Sequence, residues 1–136
     1  MNPLKDPVYA DTSALVKLVI DEDESNSLAE HLRASNLQLT SSEITEIELL
    51  RAVARADPDQ LPEALALLEK TVLLPLTTGI RRRAASLKPT SVRSLDTIHL
   101  ATALEIQADL NTLVSYDNRM VEASRSAGIE THSPGA

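Results

Sequence analysis

Apolar positions along this chain fall into short continuous runs separated by longer stretches with helical spacing. Val8-Tyr9-Ala10, after Pro7, reads as a short buried strand. Leu15, Leu18 and Val19 then have the i, i+3, i+4 spacing of one buried helix face, which predicts a helix over Thr12 to Val19. Ser25 to Arg33 is a second helical stretch, with Leu28 and Leu32 four apart and Asn36 at its end. Leu37-Gln38-Leu39-Thr40 alternates like a strand. Thr40 and Glu43 have the spacing of a capping box, which predicts a helix from about Ser41 to Arg55. Asp57-Pro58-Asp59 breaks it, and Pro62 suits the first turn of an amphipathic helix over Leu61 to Lys70. Val72 to Leu76 is an apolar run with Pro near its end, and Ile80 to Leu87 a short basic helix. A loop at Lys88 to Ser91 leads into a strong helix over Ser94 to Gln107. Thr112 to Ser115 reads as a strand and Asn118 to Ala127 as a helix closed by Gly128. A last short strand begins near Ile129, and residues from about 130 to 136 read as a loose tail. Strands alternating with helices imply an α/β sandwich with a mainly parallel sheet. Ligands in such folds sit beyond the carboxyl ends of the strands, near a switch in strand order.

The 136 residues suit a single domain over 1–136 with one real core. The chain has no Cys, which excludes disulfides, thiolate catalysis and Cys-based zinc sites. No apolar segment follows a basic head at the start, and no run is long enough to span a membrane, so the expected compartment is the cytoplasm. A net charge of −7 argues against a protein that coats nucleic acid non-specifically. The distribution changes that picture. Between Gly79 and Leu95 lie Arg81, Arg82, Arg83, Lys88 and Arg93 with no acidic residue, whereas Asp21 to Glu24 is entirely acidic. With no Phe or Trp and only Tyr9 and Tyr116, stacking platforms for bases are poor, so any nucleic acid is expected to be held by backbone and shape.

Three aspartates stand at informative places. Asp11 directly follows the first strand, and Asp117 follows the strand at 112–115 one residue beyond Tyr116. Both positions suit a plain helix N-cap, and both equally suit a functional group at the carboxyl edge of the sheet. Asp96 opens a helix that is apolar on nearly every side, through Ile98, Leu100, Ala101, Ala103, Leu104 and Ile106. Such a helix is buried, so a carboxylate in its first turn is a dipole-stabilised cap or a functional group whose charge needs a partner. Glu48 is not separable from Glu43 and Glu46 on a helical wheel. Ile47, Leu50, Val53 and Ala54 define the buried face, which puts Glu48 at its flank beside Arg51 and Arg55, where periodicity alone favours a solvated ion-paired surface over a functional group. If several of these acids converge, carboxylates about 4 Å apart repel by roughly 4 kcal/mol per pair at an effective dielectric of about 20. Such a cluster takes up protons or binds a cation, and all-oxygen ligands select Mg²⁺, Mn²⁺ or Ca²⁺. His31, His99 and His132 show no ligand spacing, which disfavours Zn²⁺.

Four stretches resemble, in order and spacing, the motifs of PIN-domain ribonucleases, and of VapC-type toxins in particular. They are Asp11-Thr12-Ser13-Ala14-Leu15-Val16-Lys17, Glu48-Leu49-Leu50-Arg51-Ala52, Ser94-Leu95-Asp96-Thr97-Ile98-His99-Leu100-Ala101-Thr102-Ala103-Leu104, and Ser115-Tyr116-Asp117-Asn118-Arg119-Met120. The third is the most specific, and together they span Tyr9 to Ile129. The resemblance implies a three-layer α/β/α sandwich and an Mg²⁺-dependent endoribonuclease, with Mn²⁺ as a substitute ion. It selects Glu48 over its neighbours and implies that Asp11, Glu48, Asp96 and Asp117 are the catalytic, metal-holding carboxylates, with Ser13 in support. His99, one helical turn after Asp96, reads as core or as a residue behind the site rather than a general base. The resemblance further implies hydrolysis to a 5′-phosphate and a 3′-hydroxyl, a small antitoxin protein as partner, and a homodimer. Arg81, Arg82, Arg83, Lys88 and Arg93 are then candidate RNA contacts, against the plainer reading of a solvated helix face.

Other reaction classes fit less well. An aspartyl-nucleophile phosphatase needs a second acid two residues after the first, where this chain has Ser13. A receiver domain needs a Lys late in the chain, and none follows Lys88. The remaining rival is a PIN-like module that has lost activity and only binds protein or RNA. Acids at all four positions argue against it.

Overall fold

The computed structural model describes residues 6–34 and 37–136, and the helix end expected at Asn36 lies outside them. Five strands form one all-parallel sheet in the order β3-β2-β1-β4-β5. They are β1 (Pro7–Ala10), β2 (Gln38–Ser42), β3 (Val72–Leu74), β4 (Thr112–Val114) and β5 (Thr131–His132). The helices are α1 (Thr12–Lys17), α2 (Ser25–Ala34), α3 (Ile44–Ala56), α4 (Leu61–Lys70), α5 (Thr78–Ser86), α6 (Ser94–Glu105) and α7 (Asn118–Ser126), with a 3₁₀ turn at Pro58–Gln60. Among the described residues, no helix is long and apolar enough to cross a membrane.

A parallel sheet needs cover on both faces, and β1 shows this most directly because all four of its residues are buried. Side chains alternate along a strand. Val8 and Ala10 join Ala14, Leu15, Leu28, Leu49, Val53 and Leu68 in one core, which seats α1 to α4. Tyr9 joins Leu100, Leu113, Met120 and Ile129 in the other, which seats α6 and α7. Ile80, Ala84 and Ala101 lock α5 onto α6. The result is the three-layer α/β/α sandwich. The chain lays β1, β2 and β3 outward in one direction, then returns to place β4 on the opposite side of β1. The strand order therefore reverses between β1 and β4, and a crevice opens beyond their carboxyl ends.

Several local expectations give way to tertiary contacts. The capping box at Thr40 and Glu43 does not form. Thr40 pairs with Tyr9 within the sheet, and β2 runs on to Ser42. Glu43 instead accepts from the Leu76 N–H at 2.6 Å, and the Ser42 hydroxyl accepts from Ile44 N. The buried stripe of α3 is Thr45, Leu49 and Val53, while Ile47 is 58% exposed and Ala54 is also exposed. The helix is rotated from its apolar wheel because the Thr45 hydroxyl bonds to the buried Ser41 hydroxyl at 2.8 Å, which lets a polar side chain occupy the interior.

The residues expected as a loose tail are docked. Pro134 is buried, its carbonyl accepts from the Tyr116 hydroxyl at 2.7 Å, and Ser133 Oγ donates to the Ser115 carbonyl at 2.6 Å. Lys17 stands over the Tyr116 ring and pairs with Glu22 and Glu24, so part of the acidic turn is used in this joint. Burial, ahead of the opposing charge of Lys17, pushes the Tyr116 hydroxyl up to about 12, so it remains a donor. Tyr116→Phe is expected to lower stability by about 1 kcal/mol, the usual net value of one such hydrogen bond, read from denaturant unfolding. An unchanged midpoint would show that the tail does not depend on this contact.

The same joint carries a pH-sensitive pair. The His31 ring stacks on His132 with centroids 4.7 Å apart, and His31 Nε2 is buried without a hydrogen-bond partner among the described residues. Burial first, and His132 second, hold the His31 pKa below its ordinary value. A lowered folded value gives stability that is present above the unfolded value of about 6.5 and is lost as pH falls through the folded one. The melting temperature is therefore expected to fall more between pH 7 and pH 5 in the wild type than in His31→Gln. Parallel profiles would remove His31 from the acid response.

Candidate active site

The crevice at the β1/β4 boundary is lined by Asp11, Thr12, Ser13, Glu48, Arg93, Ser94, Leu95, Asp96, His99 and Asp117, around a volume of about 380 Å³. The four acids and Ser13 singled out in the sequence thus share one cavity. Asp11 is held most firmly. The strand pair sets Ala10 beside Val114, so the next residues, Asp11 and Ser115, stand together past the strand ends. Asp11 Oδ2 accepts from Ser115 Oγ at 2.6 Å, and Oδ1 accepts from Ser13 Oγ at 2.6 Å and from the Ala14 N–H at 3.2 Å. It caps α1 and lines the cavity at once, so the two readings of its position are compatible. Only 5% of the residue is exposed. Burial raises its pKa, and the Ser115 and Ser13 hydroxyls, His99 and the Ala14 N–H offset this only in part. A carboxylate held in this way is short of positive charge. Ser13 Oγ also accepts from Tyr116 N at 2.9 Å, which ties the first motif to the fourth.

Glu48 is set by a relay that spans the sheet. Its Oε1 accepts from Thr12 Oγ1 at 2.8 Å and from His99 Nε2 at 2.8 Å. An ionised carboxylate only accepts, so Nε2 is the donor, and His99 Nδ1 is left to accept from the Tyr9 hydroxyl at 2.6 Å. Burial pushes the Tyr9 pKa well above its ordinary value, so that proton stays in place. For Glu48, burial acts upward, but the hydrogen bonds from His99 and Thr12 outweigh it and hold the carboxyl below its usual range. Both hydrogen bonds fall on Oε1, which leaves Oε2 as the oxygen with capacity to bind.

Asp96 sits in the first turn of α6, and Asp117 caps α7 by accepting from the Arg119 N–H at 2.9 Å. Arg93 bridges them: Nε donates to Asp96 Oδ2 at 3.1 Å and Nη2 to Asp117 Oδ2 at 2.9 Å. Asp96 first, then Asp117, raises the Arg93 pKa. Among the described residues, no three acidic or histidine side chains stand close enough to enclose a metal ion as they are. Arg93 already supplies a positive charge to two of the four acids.

The other basic candidates go to different places. Arg81 folds back on the start of α5, donating to the Leu76 carbonyl and to Thr78 Oγ1. Arg82 and Arg83 are exposed on the same helix. Lys88 and Arg93 line a second cavity beside the first. Sequence reasoning did not single out Ser115, Tyr9 or the Arg93 bridge, and it gave Thr12 no role. Arg93 and Asp96 are three residues apart, a signal readable in advance, whereas Tyr9 and His99 are 90 apart and meet only in the fold.

A PIN-domain family model matches residues 8–126. Ribonuclease VapC47 of Mycobacterium tuberculosis (strain CDC 1551 / Oshkosh) is 41% identical over 133 residues, covering 95% of this chain and 98% of that protein. Ribonuclease VapC46 of Mycobacterium tuberculosis (strain ATCC 25618 / H37Rv) is 34% identical over 127 residues, covering 93% and 97%. Among solved structures, Mycobacterium tuberculosis VapC20, described as a sarcin-ricin loop cleaving toxin, superposes with a TM-score of 0.70 at 14% identity, over 90% of this chain and 95% of that one. A toxin–antitoxin complex from Klebsiella pneumoniae gives 0.68 at 21% identity, over 84% and 89%. These two likenesses concern the fold, while the identities over nearly the full length go further: the chain belongs to the PIN-domain family and, within it, to the VapC ribonucleases.

Proposed function

We propose that this single domain is an Mg²⁺-dependent endoribonuclease that hydrolyses RNA phosphodiester bonds as the toxin of a toxin–antitoxin pair. The observation that carries this reading is the meeting of Asp11, Glu48, Asp96 and Asp117, from four separate segments, in one cavity at the strand-order switch. The donor set fits the ion. All four side chains offer oxygen alone, as hard divalent cations require, and Arg93 shows that Asp96 and Asp117 together accept a cationic group. Mg²⁺ or Mn²⁺ held by Asp11, Glu48, Asp96 and Asp117 would supply charge neutralisation for the phosphate and activation of the attacking water.

The protein's own groups do the rest. Ser13, Ser115 and the α1 backbone hold the Asp11 carboxylate. Thr12 and His99 occupy one oxygen of Glu48 and so fix the direction of the other. Arg93, released from Asp96 and Asp117, is within the same cavity and suits a phosphate oxygen. An antitoxin side chain bearing a guanidinium would compete for the same acids, and the Arg93 bridge is the internal precedent for that contact. A homodimer and a cytoplasmic workplace complete the proposal.

The test is cleavage of total cellular RNA by purified, partner-free protein with Mg²⁺, with Mn²⁺ and with chelator, alongside Asp96→Asn. Discrete metal-dependent bands that vanish in the variant are expected. Absence of cleavage by folded protein under every condition would favour an inactive binding module instead.

A further inference from the structure

A second cavity of about 300 Å³ adjoins the acidic one and shares Arg93 and Asp96 with it. The loop between α5 and α6 contributes Lys88, Pro89 and Val92 to its wall, and α7 contributes Arg119 and Glu122. Its charges are placed unusually for a chain of net charge −7. Acidic side chains outnumber Lys and Arg by 20 to 13, yet Lys88 and Arg119 form no ion pair among the described residues, and neither does Glu122. Two uncommitted cations beside an acidic reaction centre suit a phosphate, with Lys as a point charge and Arg as a fork. The volume lies at the small end of ligand pockets, which admits one nucleotide and excludes a duplex. Pro89 and Val92 offer an apolar surface for the face of a base in a chain that has no Phe or Trp to stack on it. Glu122 can only accept, so it pairs with base edges that carry an amino group. Uracil presents its N–H between two carbonyl oxygens, which repel a carboxylate.

We propose that this cavity is a nucleotide subsite for the residue adjoining the scissile phosphate, with Lys88 and Arg119 on a phosphate and Glu122 reading an amino-bearing base. The proposal rests on the ribonuclease reading above, and the experiment separates the two. Cleavage-site sequencing on a random single-stranded RNA pool with Mg²⁺ is run for the wild type, Glu122→Gln, and the Lys88→Ala, Arg119→Ala pair. In parallel, fluorescence anisotropy measures binding of a short labelled oligoribonucleotide in chelator. The wild type is expected to disfavour uracil about tenfold at one position beside the cut, and Glu122→Gln, which offers a donor as well as an acceptor, to erase that preference. The cation pair is expected to weaken binding of every sequence about tenfold, raising KM and not kcat. Cleavage by the wild type with no base preference, or with the same profile and KM in the variants, overturns the subsite and leaves the nuclease standing. If the wild type cuts nothing, metal-free binding decides. Affinity lost in the cation pair keeps the subsite as an RNA site, and equal affinity in all three proteins overturns it along with the nuclease.

Discussion

Replacing Asp11 with Asn is expected to reduce metal-dependent RNA cleavage by about 10³-fold or more, the scale on which loss of a central catalytic group is felt. The shape is retained, and the Ser13, Ser115 and Ala14 contacts can largely be kept by the amide oxygen and by rotation of the hydroxyls. What is lost is the negative charge that burial already strains. In chelator the variant is therefore expected to melt at the same temperature as the wild type or higher, because an uncompensated buried charge has been removed. Addition of Mg²⁺ should raise the melting temperature of the wild type by binding linkage and leave the variant unmoved. The opposite signs of the two effects distinguish a metal-holding carboxylate from a helix cap. A plain cap would keep its activity and its response to Mg²⁺, since Asn caps a helix about as well as Asp. Cleavage within tenfold of the wild type would remove Asp11 from the site.

The second large effect is expected at His99, whose one acidic hydrogen-bond partner among the described residues is Glu48. His99→Leu keeps the volume roughly but leaves both the Tyr9 hydroxyl and Glu48 Oε1 short of a partner. Groups that orient a metal-binding side chain from behind typically contribute 10–100-fold in affinity or activity, so a loss of about that size in Mn²⁺ affinity, read by electron paramagnetic resonance, is expected. Stability should fall as well, by roughly 1–3 kcal/mol for the orphaned buried polar groups. Tyr9→Phe retains the Nε2 donor to Glu48 and is expected to have the smaller effect on Mn²⁺ affinity. A His99→Leu protein that loses stability but binds Mn²⁺ as tightly as the wild type would show that the relay only fills the core.

How far the site was legible before folding differs from acid to acid. Asp11 and Asp117 each follow a strand whose apolar run is short and clear, so their place at the sheet edge could be read locally. Asp96 was marked by the buried helix it opens. Glu48 was not separable from Glu43 and Glu46 by periodicity, because the wheel takes Ile47 as interior. In the fold Ile47 is exposed and Thr45 is buried, since Ser41 satisfies its hydroxyl. That rotation puts Glu48 within reach of Thr12 and His99. A helical wheel weighs only side-chain polarity, and a hydrogen bond to another element reverses the weight of a single residue.

The sequence by itself determined the order of strands and helices, the parallel α/β class, the closing of α7 at Gly128 (φ 85°) and, through four motifs, the four acids that line the crevice. These are local properties, set by side-chain period, turn chemistry and neighbours a few positions away. Only the tertiary structure decided that β4 lies beside β1, that Arg93 spans Asp96 and Asp117, that Tyr9 meets His99, and that Pro134 is anchored by Tyr116. Most of those contacts join groups that chain connectivity leaves far apart. They exist because burying both faces of one sheet fixes the strand order, and the strand order then chooses which polar groups must satisfy one another.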